Sequence, residues 1–197
     1  MPIIKHGHTE PPVLQKVRDA GFDVFTKGDY NLNIIGVRNL ASTRSNLFDD
    51  TMHVCCKVDG EWIELVGPAT TDPGRYWLQK EDYKACAIMY HPQQCRSAYK
   101  VGIHKSYRAI VQRKPVKYWR DGNKDAHLNY TGKIHEGVIG LNLHRSSTKE
   151  GGSTVIGAWS AGCQVWQDPE DFYAMMELAY EQLKKGWHRF TYTLIAE

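Results

Sequence analysis

Apolar and polar positions alternate with a period of two along much of this chain, the pattern of strands that bury one face. Segments 31–37, 52–58 and 61–66 read this way, and further strands are expected near 86–90, 107–112, 116–119, 138–143 and 190–195. Asp59-Gly60 separates the second segment from the third and supplies the left-handed residues of a two-residue hairpin turn. Two stretches switch to helical spacing. From Thr9 to about residue 20, Val13, Leu14 and Val17 share one face, with Thr9 as N-cap and Gly21 as the stop. Near the end, Asp168 is the expected cap, Pro169 takes the first helical position, and Glu170 and Asp171 suit the positive end of the helix. Phe172, Met175, Met176, Ala179 and Leu183 then form a buried stripe that runs out at Gly186. The class expected is mainly β with a few helices.

The length of 197 residues suits one domain that buries its own core. No repeat, low-complexity tract or linker divides it. Residues 1–50 read as an N-terminal extension, a helix plus a strand of the same domain, and 51–197 as its main body. The net charge is +3 and the basic residues are dispersed, which speaks against a nucleic-acid partner. A mildly cationic surface still suits an anionic polymer such as a cell wall. No apolar run approaches the roughly 20 residues of a membrane span. The opening Met1-Pro2-Ile3-Ile4-Lys5-His6 lacks the apolar stretch of a secretory leader, so synthesis in the cytoplasm is expected, with delivery by another route for any work at the wall. A monomer is expected.

Five cysteines are present, Cys55, Cys56, Cys86, Cys95 and Cys163, and none forms a CxxC pair. Cys55 and Cys56 would face opposite sides of one strand. Cys163 stands apart. It follows Trp159-Ser160-Ala161-Gly162 and precedes Gln164-Val165-Trp166, so small residues bring the backbone close and Trp159 and Trp166 could wall a pocket. His144 ends the apolar run 138–143, as if a strand delivered it to a rim. A cysteine nucleophile needs a base, and His144 is the candidate. Arg38, Asn39 and Arg44 belong to a polar segment that could meet carboxylates or simply be exposed. His127, His135 and Glu136 fit no zinc spacing with His144, so no metal is expected.

These residues carry a resemblance. The chain resembles the L,D-transpeptidase catalytic domain (YkuD-like) family, as a divergent member. That family has a histidine upstream of Ser/Thr-His-Gly-Cys, followed by an apolar residue and Arg or Asn. The matching positions are His144, Ser160, Ala161, Gly162 and Cys163. A Thr-Pro-x-Gly turn after a hairpin is matched by Thr70-Thr71-Asp72-Pro73-Gly74-Arg75-Tyr76. The similarity spans about Thr51 to Trp187. Ala161 replaces the motif histidine, Gln164 takes the apolar position, Val165 stands for Arg or Asn, and Arg145 follows His144 where glycine is usual.

The resemblance implies a β-sandwich or barrel-like domain with the cysteine loop at a groove. It implies a Cys163 nucleophile, a His144 base, oxyanion donors near Gly162 and Cys163, and a thioester intermediate on peptidoglycan stem peptides. Ser160 would orient His144 or bond within its own turn. Arg145 would replace the missing cation, and Trp159, Gln164 and His104 would touch substrate. No cofactor is implied. Transfer to an amine would make this an L,D-transpeptidase-like transferase, and transfer to water a carboxypeptidase-like hydrolase, such as a phage lysin or delivered effector. The alternative is a catalytically inactive wall-binding or virion module on the same fold.

Overall fold

The computed structural model describes residues 3–42, 46–80 and 86–197. Arg44 lies outside them. The architecture is mainly β with three helices. In chain order the elements are β1 (Ile4–Gly7), α1 (Pro12–Asp19), β2 (Asn33–Arg38), β3 (Asp50–Val58), β4 (Glu61–Thr70), α2 (Arg75–Leu78), β5 (Ala87–Met89), β6 (Gln93–His104), β7 (Tyr107–Gln112), β8 (Val116–Arg120), β9 (His135–Gly137), β10 (Leu143–Arg145), β11 (Gln164–Trp166), α3 (Pro169–Lys184) and β12 (Phe190–Ala196).

The main sheet runs β1-β4-β11-β10-β7-β6-β12-β2-β3, and β3 also pairs with β4. That last pairing closes the sheet from β4 round to β3 into a ring and leaves β1 as an edge strand on β4. A small second sheet, β5-β8-β9, lies beside it. The N-terminal part of the chain contributes to this ring through β2, an interior strand, parallel to β12 and antiparallel to β3.

The two faces of β3 show why alternation predicts this chain well. Cys56 enters the large core with Leu65, Phe172, Met175 and Tyr192, whereas Cys55 enters a second cluster with Val13, Leu14, Val17 and Trp62. Asp59 and Gly60 both take positive φ, +52° and +81°, as the tight turn between β3 and β4 requires. In α3, Asp168 accepts from the Glu170 amide, and Phe172, Met175, Met176 and Ala179 are buried. Each such side chain contributes about 1.5–3 kcal/mol by leaving water.

Three local expectations are corrected. Thr9 does not cap α1: the helix begins at Pro12 after Pro11, with no side-chain cap, and the Thr9 amide bonds the His6 carbonyl instead. Segment 138–143 is a loop up to Asn142, and the strand starts at Leu143. The cause is Gln112, whose Oε1 accepts from the amides of Ile139, Gly140 and Leu141 and so competes with any ladder. The longest strand, β6, has no clean alternation because Ser97 takes a positive φ of 49° and shifts the phase.

Candidate active site

β10 and β11 are parallel neighbours, with His144 opposite Val165 and Leu143 opposite Gln164. Asn142 accepts from the Gln164 amide. Cys163, one residue ahead of β11, therefore sits across from Asn142, and its thiol donates to the Gly140 carbonyl at 3.3 Å.

The cysteine loop is held from several sides. The Gly74 amide donates to Ser160 O at 2.9 Å, Ala87 N to Ala161 O at 3.0 Å, and the Trp77 indole to Ala158 O at 3.1 Å. Gly74 must be glycine, because a Cβ there would lie 2.1 Å from the Gly157 carbonyl oxygen. Gly162 has φ +132°, and its Cβ would meet the Ala87 oxygen at 2.2 Å. The glycine beside the cysteine thus serves packing of the loop. Its amide donates to Ser160 Oγ at 3.1 Å, so that amide is already engaged. Ser160 is fully buried and donates to Cys163 O at 2.8 Å. Both of these bonds hold the cysteine loop in shape, and neither reaches the His144 ring.

His144 is 2% exposed, and its Nδ1 lies 2.7 Å from the Arg145 carbonyl oxygen. A carbonyl only accepts, so Nδ1 carries the proton and Nε2 keeps its lone pair. That Nε2 is buried with no hydrogen-bond partner. The imidazole stacks on His104 at 4.1 Å and 14°. Asn142 Nδ2 lies 3.0 Å from His104 Nδ1, so Asn142, just ahead of β10, and His144, within it, meet the same ring. Burial first, then the charges of the His104 ring and Lys105, hold the His144 pKa down at about 3. Burial pushes the Cys163 thiol up to about 11, partly offset by the Asn142 backbone amide and Lys105. The resting pair is therefore a neutral thiol and a neutral imidazole, not bonded to each other.

His144 is expected to stay neutral on acidification. Its ring signals in a pH-titrated NMR spectrum should not move between pH 7 and 5, whereas a midpoint near the usual 6.5 would remove the buried-base assignment. A histidine whose folded pKa is depressed contributes stability above pH 6.5 that is lost as pH falls toward 3, by up to about 1.4 kcal/mol per pH unit.

Arg145 lays its guanidinium 4.2 Å over the Tyr107 ring and donates to Ser146 O at 3.3 Å. Its Nε is buried with no acceptor, so one directional donor is unclaimed. Trp159 is exposed on the loop. Two expectations fail on burial. Gln164 is fully buried, accepting from Tyr192 OH at 2.7 Å and donating to Gly162 O at 3.1 Å, so it braces the loop and meets no substrate. Trp166 is fully buried with its indole N–H on Met175 Sδ, so it belongs to the core and not to a pocket wall.

Arg38 is likewise not exposed to carboxylates from outside. It is fully buried and donates to Thr71 Oγ1, Thr71 O and Met89 O, with His91 Nδ1 at 2.6 Å. Asp72 Oδ1 lies 3.1 Å from its NH2, close enough for an ion pair but too poorly aligned for a hydrogen bond, which leaves that oxygen orphaned. Tyr130 OH donates to the other Asp72 oxygen. Burial pushes Asp72 up to about 7 despite Arg38. Thr71 O is shared by Arg38 and by Gln164 at 3.4 Å, which links this network to the cysteine loop.

His127 bonds around Asp125, and His135 stacks on Tyr118 in the small sheet, so neither joins His144. Sequence reasoning misses Asn142 and Lys105 and takes Tyr107 only as core or rim packing. The first was visible as the residue two before His144, while the others depend on the β6–β7 hairpin closing over β10.

No protein-family model, no curated protein and no solved structure matches the chain. No helix among the described residues is long and apolar enough to cross a membrane.

Proposed function

We propose that the chain is a cysteine acyl-transfer enzyme of the L,D-transpeptidase type, acting on peptidoglycan stem peptides, with Cys163 as nucleophile and His144 as base. The observation that carries this reading is the orphaned, buried Nε2 of His144, kept unprotonated by the Arg145 carbonyl on the other nitrogen, on a strand parallel to the one that the half-buried Cys163 leads into. A buried acceptor without a partner costs about 1–3 kcal/mol, a cost that a proton-accepting role accounts for.

In the reaction the thiol leaves Gly140 O and gives its proton to His144 Nε2. The sulfur attacks a stem-peptide amide carbonyl, and the tetrahedral intermediate collapses to a thioester as the protonated amine departs with that proton. A second amine, or water, then attacks the thioester, giving up a proton to His144 Nε2, and the C–S bond breaks as the Cys163 sulfur leaves and takes that proton back. The Arg145 guanidinium would supply the cation for a substrate carboxylate, with Trp159 and His104 at the rim. Work at the wall follows delivery from the cytoplasm.

Intact-protein mass after incubation with a stem-tetrapeptide donor tests this. Wild type is expected to gain a thioester adduct or to process the donor, and Cys163→Ser to do neither. A folded wild type that shows no adduct and no turnover would favour the inactive wall-binding module, for which Ala161 and Val165 at the motif positions are the supporting observation.

A further inference from the structure

Two adjoining surface cavities, of about 410 and 630 Å³, share His188 and Arg189. Lys27 and Arg96 line the first, Lys100 and Arg108 the second, and no acidic side chain lines either. Arg96 pairs with Asp23, but Lys27, Lys100, Arg108 and Arg189 have no ion-pair partner among the described residues. Four cations without an ion-pair partner, and no acidic side chain in either lining, make this groove locally positive.

The floor of the first cavity is fixed. Gln182, 2% exposed, accepts from the Leu32 amide at 2.9 Å and donates to the carbonyls of Trp187 and Arg189. This pins the segment that presents the shared cation. Gly28 has φ +75°, and a Cβ there would come within 2.9 Å of the Trp187 ring, so the glycine lets the indole lie directly against the loop. Phe25, Trp187 and Tyr180 add apolar faces among the cations. Along β6, Arg96 and Lys100 are four residues apart, a span of at most about 13 Å at strand rise. The same strand ends at His104, against His144.

We infer that this groove binds an anionic wall polymer of phosphodiester-linked polyol units, and so holds the protein on its substrate. Cations spaced along a groove match phosphates spaced along a chain, and the aromatic rings match the carbon faces of the polyol between them. The choice of a wall polymer over nucleic acid rests on the reading of Cys163 as acting on wall peptides.

The test measures binding of poly(glycerol phosphate), and of a single-stranded oligonucleotide with the same number of phosphates, at 50 and 200 mM salt. Lys100→Glu/Arg189→Glu is expected to weaken poly(glycerol phosphate) binding at least tenfold and to flatten its salt dependence, while Lys149→Glu, on another loop, binds as wild type. Lys27→Gln/Arg108→Gln, both exposed positions, repeats the measurement if the first variant does not fold. Unaltered binding in a folded variant overturns the inference, and so does oligonucleotide binding as tight as that of the polyol. Processing of the free tetrapeptide donor should be unchanged in both double variants. A wild type that binds polymer but never processes donor would count against the enzyme reading alone.

Discussion

His144→Gln is expected to slow the proposed stem-peptide processing by about a thousandfold, within the range of about 10²–10⁴ that a positioned general base contributes. The size of the effect follows from the resting state. With the Cys163 pKa at about 11, roughly one sulfur in ten thousand is a thiolate at pH 7, too few to sustain attack unaided. Glutamine keeps a polar group of similar reach but cannot take up the proton. The wild-type rate should also hold as pH falls from 7 to 5, because the pKa of His144 is about 3 and the base is not lost in that window. Single-turnover mass spectrometry of thioester formation gives both numbers. A variant within threefold of wild type would remove His144 from the proposed mechanism.

The second large effect is on stability. Arg38→Met should cost about 3–5 kcal/mol, because it leaves Asp72 buried with no cation while Met89 O and Thr71 O lose donors. For a chain of this size that corresponds to a melting temperature lower by about 10 °C. The pH dependence has a definite sign. Asp72 is raised from the ordinary carboxylate value to about 7. A raised carboxyl contributes stability below the unfolded pKa that is lost as pH rises through the folded one. Removing the guanidinium raises Asp72 further, so the deficit should be larger at pH 8 than at pH 5, read by denaturant unfolding. Adding Asp72→Asn should restore part of it at pH 8. A deficit under about 1 kcal/mol would mean that solvent reaches this network.

The same residues show what a sequence can and cannot reveal. α3 was legible because its cap, its first-turn acids and its apolar stripe are all local. The β3–β4 hairpin was legible for the same reason. Arg38 was misplaced because nothing near it in sequence pairs with it: its partners come from Thr71, Asp72, Met89 and His91. Val138 and Ile139 read as strand interior, yet both are exposed, since the distant Gln112 side chain captures the backbone that follows. At the candidate site, Cys163 and His144 were singled out from their residue types and order, and the parallel β10–β11 pairing brings the cysteine loop to the start of the strand that carries His144. The neutral, unbonded state of the pair was not legible, because it arises from burial and from His104, Lys105 and Arg145 supplied by tertiary packing.

The protonated sulfurs bear on survival outside a reducing environment. Cys55, Cys56, Cys86 and Cys95 are buried, and burial pushes the last three to about 12. Peroxide and disulfide exchange act on thiolates, so these four are chemically quiet and Cys163 is nearly so until something draws its proton away. Oxidation to sulfenic acid or mixed disulfides is therefore expected to be slow at all five cysteines. In the mechanism proposed for it, the single half-exposed thiol would become reactive only on leaving Gly140 O.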